Sequence, residues 1–168
     1  MRVLLLSILI LMSVPVASSA NPGGIEAIAR AFDLNEREGM LRYYGLSVRS
    51  KGVVERYIEG GSEYSLVVGA FMRSRLLDPS GEIGDRFDRN FPLAQTETYV
   101  GNKIPRGQVY GFKSAWIKVG QSTALCFFEA DEFGKFPRLS VGQSVEFRGA
   151  ILSAFVENNE PFVVMMCR

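Results

Sequence analysis

"LSVGQSVEFRGAI", Leu139 to Ile151, sets a glycine–glutamine turn in front of an alternating run. Successive side chains of an extended chain point to opposite faces, so Val145 and Phe147 fall on one side and Glu146 and Arg148 on the other. The run continues into "LSAFV", where Ile151 and Phe155 keep to the side of Val145 while Leu152 and Val156 make the opposite side apolar as well. A strand that is wet on one face at its start and dry on both at its end curls into a packed body. Gly149 gives it a place to bend, or to let another backbone approach closely.

Downstream, Asn158-Asn159 reads as a turn before a last strand, "PFVVMMC". Upstream lie two further runs of strand length, "QVYGFKSAWIKV" and "TALCFFEA", followed by a polar connection, "DEFGKFPR", with room for one helical turn. Near the start, "LSVRSKGVVERYI" places Leu46, Val48, Gly52, Val54 and Ile58 on one face and Arg49, Lys51 and Glu55 on the other. After "EGGS", the apolar run "YSLVVGAF" completes a long hairpin with it. One helix precedes these strands, with Ile25, Ile28, Ala29 and Phe32 at the spacing of a single helical face. From Met72 to about Gly107 the chain is rich in Gly, Pro, Asp and Arg, an excursion with short elements of its own. The pattern is mainly β with one N-terminal helix, in a small closed or partly open barrel of five or six strands; a β-sandwich is the alternative.

The first 20 residues carry Arg2, an apolar run from Val3 to Met12 and a small-residue end at Ser18-Ser19-Ala20. This is the layout of a secretory signal peptide cleaved after Ala20, and the apolar run is too short for a membrane span of roughly 20 residues. The remaining 148 of 168 residues suit one domain with a real core. Removing Arg2 from the 19 basic residues leaves them equal in number to the 18 acidic ones, so the cleaved product has no electrostatic footprint for a polyanion.

In an exported chain the two cysteines, Cys126 and Cys167, read as one disulfide. A redox-active pair would be spaced more closely, as in C-x-x-C. The chain has no histidine, which removes the commonest general base and the commonest metal ligand together. No metal site and no cofactor is expected. "DRFDRN", with Asp85, Asp88 and Asn90, lacks the spacing and final Glu of a calcium loop and reads as an Asp-stabilised turn. "GVVERYIEGG" lacks the strand-to-helix passage of a phosphate-binding loop. Glu55, Glu59, Glu129 and Glu146 are the carboxylates on or near strands through which an unrecognised enzyme would work.

Three pieces in this order resemble the tRNA-anti-like family of exported bacterial OB-fold proteins. They are "AIARAFDLNEREGMLRYYGLSVRSKGVV", "ALCFF", and "LSVGQSVEFRGAIL" running through to "VVMMC". The resemblance implies a helix over 21–45 packed on an OB-fold-like barrel over 46–168, with a loop insertion at about 72–118. Its strands would be Leu46–Ile58, Tyr64–Phe71, Ser122–Glu129, Gln143–Val156 and Pro161–Cys167. The third and fifth are neighbours in such a barrel, which puts a Cys126–Cys167 bridge between adjacent strands; Cα atoms more than about 7 Å apart would forbid it. OB-folds bind across their second and third strands, which nominates Tyr64 and Phe71, with Arg73 and Arg75 beside them, as ligand-binding residues. Arg86, Arg89, Lys103 and Arg106 add positive charge in the excursion, but Asp78, Glu82, Asp85 and Asp88 are mixed among them, against a phosphate groove. The function implied is non-catalytic binding in the periplasm or outside the cell, of an envelope protein or glycan, with nucleic acid and a carboxylate enzyme as alternatives.

Overall fold

Two helices open the described chain where one was expected. The computed structural model describes residues 24–59, 64–93, 96–99, 102–105, 112–130 and 135–168; the leader expected at 1–20 lies outside them. Helix α1 (Gly24–Leu34) stops at Asn35, whose extended backbone (φ −158°, ψ 100°) breaks the helical path. The Asn35 side chain then accepts the Glu38 N–H at 3.2 Å and starts α2 (Glu36–Tyr43). Asn followed three residues later by Glu is an N-cap signal, which the continuous apolar spacing concealed.

Five strands close on themselves in the order β1-β4-β5-β7-β6 and back to β1. They are β1 (Ser47–Glu59), β4 (Phe112–Val119), β5 (Ser122–Glu129), β6 (Ser144–Glu157) and β7 (Glu160–Cys167). Neighbours are antiparallel except β5 and β7, which run parallel. The two longest strands make closure possible. β1 pairs with β6 from Ser47 to Val53 and with β4 from Val53 to Glu59; β6 pairs with β1 from Ser144 to Ala150 and with β7 from Gly149 to Glu157. Each shifts register once, β1 at Glu55 and β6 at Leu152, and such bulges bend and twist a strand locally.

Those bulges correct two orientations. An extra residue reverses the parity of everything after it, so Ile58 pairs with Ser114 on the outer face and Tyr57 takes the inner one. Phe155 likewise stands outside, 36% exposed, while Ala154, opposite Val163, takes the inner side. The rest of the opening stretch follows the expected pattern: Phe147 and Ile151 are buried, and Glu146 and Arg148 face water. The Gly142-Gln143 turn docks on β1, with Val54 N–H donating to the Gln143 carbonyl at 2.9 Å.

Gly149 lies against β7: a Cβ there would be 2.6 Å from the Met166 carbonyl oxygen and 2.8 Å from Cys167 Sγ. Backbone cannot yield as a side chain can. Gly149→Ala is therefore expected to destabilise the protein by about 1–3 kcal/mol, the range for overpacking; an unchanged urea midpoint would refute the close approach. Cys126 and Cys167 form a disulfide with Cα atoms 5.4 Å apart, joining adjacent strands. Such a pair suits an oxidising compartment.

The 60–111 connection between β1 and β4 is where the sequence reading needs most correction. Its described parts are α3 (Tyr64–Leu77), α4 (Glu82–Asn90) and a two-stranded hairpin, β2 (Thr96–Tyr99) with β3 (Asn102–Pro105). Tyr64–Phe71 is thus helix and not a second strand. The barrel's second strand is β4, within the stretch expected to be an insertion at 72–118. "DRFDRN" is helix as well, Asp85 to Asn90 forming the body of α4, and the turn that Asp stabilises lies earlier. There Asp78 accepts the Ile83 N–H at 2.7 Å and the Ser80 hydroxyl, capping the start of α4.

Helix α1 packs on β5, β6 and β7, burying Ile25, Ile28, Ala29 and Phe32. Among the described residues no helix is long and apolar enough to cross a membrane.

Candidate functional site

Of the four residues nominated for binding, the three whose side chains are described, Phe71, Arg73 and Arg75, each engage a different part of the helical layer. Phe71 points into the helical layer, its ring 4.9 Å from Phe87 and 6.3 Å from Tyr44, centroid to centroid. Arg73 pairs with Glu36 across to α2 at 3.4 Å, and Arg75 lies over Gly81. Tyr64 sits at the first position of α3, and its side chain lies outside the described residues. Arg86 is also structural. Its guanidinium donates to the carbonyls of Leu41 at 2.9 Å and Arg42 at 3.3 Å, at the negative end of α2.

The outer face of the barrel carries a ridge that sequence reading assigned to core and insertion. Phe155 of β6 stacks on Phe162 of β7 at 5.1 Å with rings 12° apart, and Phe162 meets Trp116 of β4 edge-on at 5.9 Å. The Arg56 guanidinium of β1 lies over Trp116 at 5.5 Å. The Trp116 indole N–H is buried without a hydrogen-bond partner among the described residues. A buried donor left in that state costs roughly 1–3 kcal/mol. Trp116 is the single tryptophan of the chain, the one signal that could have marked this place.

A polar cluster adjoins the ridge. Glu160 Oε1 receives the Lys118 ammonium and, at 2.6 Å, the Thr123 hydroxyl. These two groups hold the Glu160 carboxyl below its usual 4.5. A carboxyl lowered in the folded state adds stability above its ordinary range and loses it as pH falls through the lowered value. Glu160→Gln should therefore make the acid limb of the stability–pH curve shallower, seen as urea midpoints that fall less between about pH 5 and pH 3 than the wild type's, the part due to Asp78 remaining. An acid limb as steep as the wild type's would refute the assignment.

A cleft of about 520 Å³ opens at the mouth of the barrel. Its apolar walls are Phe91 and Pro92 after α4, Phe128 and Ala130 at the end of β5, and Phe136 and Pro137 of the strap 135–140 leading towards β6. Glu129, Lys135 and Arg168 bring charge to it, and Cys167 lies on its floor. The strap is pinned: Tyr57 Oη donates to the Pro137 carbonyl at 2.9 Å, and Lys113 Nζ lies over the Phe136 ring at 5.0 Å. Arg168 is held too, its guanidinium 4.1 Å over Phe91 and donating to the Pro92 carbonyl at 2.8 Å. A smaller cleft of about 330 Å³ lies across Pro137 and shares Phe128 and Arg168 with the first.

Among the described residues the candidate carboxylates do not assemble. Glu55 and Glu146 are exposed on different strands, Glu129 borders the cleft, and the Glu59 side chain lies outside the described residues. No group of three or more metal-ligating side chains forms among the described residues. Burial raises the Tyr44 phenol above its usual 10.0, so it stays neutral and serves the core. Comparison with protein-family models, with curated proteins and with solved structures returns no match for this chain.

Proposed function

We propose that this chain is an exported, non-catalytic OB-fold-like binding module of the tRNA-anti-like kind, whose ligand is an extended glycan of the cell envelope. The observation that carries the reading is the strand order, a closed β1-β4-β5-β7-β6 circuit with β5 and β7 parallel. Counting only barrel strands, this is the 1-2-3-5-4 order of an OB-fold. Such folds bind oligosaccharides and oligonucleotides over the second and third strands, here β4 and β5. Trp116 stands on β4, and Phe162 and Phe155 extend its apolar surface across β7 and β6. Aromatic faces beside mixed charges suit a neutral, hydroxyl-rich polymer better than a polyphosphate, which calls for a basic stripe. The leader-like first 20 residues and the disulfide support export.

Trp116 is also its own reporter. Titrating the protein with soluble envelope-glycan fragments is expected to shift tryptophan emission saturably, and Phe155→Ala is expected to weaken that binding. A single-stranded oligonucleotide is the opposing arm: saturation by it alone, lost at high salt, would replace the glycan with nucleic acid. A protein partner has separate support in the helical layer, where Leu34 is 86% and Leu76 77% exposed.

A further inference from the structure

We infer that Glu160, with Glu157 beside it, decides which sugar the aromatic ridge takes, selecting neutral hexoses and N-acylhexosamines and rejecting uronic acids. This selection rests on the glycan reading of the ridge and deepens it. Residues opposite each other in an antiparallel pair share one face, so Phe155↔Phe162 and Glu157↔Glu160 set two phenyl rings and two carboxylates side by side on the outer surface of β6 and β7. Phe155 offers the open ring face, 36% exposed against 7% for Phe162. Along each strand the ring and the carboxylate are two residues apart, about 7 Å. That is close to the breadth of one hexose. A sugar whose C–H face lies on Phe155 therefore brings its hydroxyl groups to the carboxylates.

Glu160 is set up as an acceptor. Its Oε1 receives the Lys118 ammonium from β4 and the Thr123 hydroxyl from β5, whereas Oε2 makes no hydrogen bond among the described residues. A side chain already held by two neighbours loses less freedom when it binds, and an ionised oxygen accepts hydroxyl and amide N–H donors more strongly than a neutral one. Glu157 is exposed and forms no ion pair among the described residues. Asn158 and Asn159, at φ 49° and 64°, make the two-residue turn that keeps it opposite Glu160. Like charges set directly opposite are destabilising, and Lys118 relieves only one of the two. A carboxylate on the ligand would add a third negative charge to the pair. The cations of the ridge are engaged: Lys118 lies on Glu160, and Arg56 lies over Trp116 on β4, three strand positions from Phe155.

Cellotetraose, fully N-acetylated chitotetraose and the β-1,4-linked tetramer of glucuronic acid share length and linkage and differ in the groups that would meet the carboxylates. Each would be titrated into the isotope-labelled protein at fixed ionic strength and followed through Trp116 emission and backbone amide shifts. The two neutral tetramers are expected to bind saturably, shifting Phe155, Glu157, Glu160 and Phe162, with the glucuronate tetramer at least about tenfold weaker. Glu160→Gln should weaken the neutral tetramers about tenfold, as loss of a hydrogen bond to a charged group implies, and Glu157→Gln should narrow the gap between neutral and glucuronate tetramers. A Lys118–Glu160 pair that only clamps the strands would leave that gap unmoved in both variants, which would overturn the selection. Should a variant fail to fold, the comparison of three tetramers on the unaltered protein still decides. Neutral binding that Phe155→Ala weakens, with glucuronate bound equally well, would overturn the selection and leave the glycan site standing. Saturation by none of the three, or shifts that map to another surface, would overturn both.

Discussion

Replacing Cys126 and Cys167 together by alanine is expected to lower the unfolding free energy by about 4 kcal/mol, the chain-entropy value for a bridge spanning 41 positions. The bridge joins the two parallel strands, β5 and β7, whose register runs from Thr123↔Phe162 to Phe128↔Cys167. Parallel neighbours cannot be linked by a short hairpin, and the chain joins this pair through β6, which lies on the far side of β7. The loop it closes holds the strap, all of β6 and most of β7. Reduction releases that whole segment in the unfolded chain. For a domain of this size each kcal/mol moves Tm by roughly 2–4 °C, so a drop of about 10 °C or more is expected in calorimetry. A reduced or doubly substituted protein that melts within about 2 °C of the bridged one would show that the bridge does not hold the seam.

Elements whose apolar residues follow one clean period were legible in the sequence; others needed information that no window carries. Strand β6 and the Gly142-Gln143 turn fall where alternation and turn residues put them, whereas β5 and β7 are unbroken apolar runs read as strands from their length and flanking turns, a rule that also admits short helices. The rule fails on "YSLVVGAFMRSRLL", because a continuous apolar run has no period to read over eight residues. Extended to Leu77, the buried positions Val67, Ala70 and Ser74 show helical spacing, and only that longer view separates helix from strand. Reading Tyr64–Phe71 as the second strand then pushed the true one, Phe112–Val119, into a supposed insertion. The bulges at Glu55 and Leu152 leave no local mark, so Ile58 and Phe155 were assigned to the wrong face. The aromatic ridge depends on both errors being put right. It joins residues of β4, β6 and β7 that meet only once the register is known.

The same reassignment changes what the 60–111 connection is, and Phe87→Ala tests it. Phe87 is fully buried, with its ring 4.9 Å from Phe71, 5.7 Å from Tyr44 and 6.1 Å from Phe91. Its backbone rests on Gly45, which holds φ +73°; a Cβ at Gly45 would lie 2.6 Å from Phe87 N. Gly45 in turn donates its N–H to the Ile151 carbonyl at 2.8 Å, and its own carbonyl receives Asn90 Nδ2 at 2.8 Å. A continuous path therefore runs from α4 through Gly45 to the bulged part of β6. An appended loop would have no such path, and its core could be emptied without disturbing the barrel. Truncating a fully buried Phe costs about 3–5 kcal/mol. Phe87→Ala is expected to lower stability by that amount in a single transition, with helix ellipticity and Trp116 fluorescence lost together, although Trp116 stands on the barrel's outer face. Two separate transitions, or a Trp116 signal that melts as in the unaltered protein, would mean that the helical layer and the barrel fold as separate bodies.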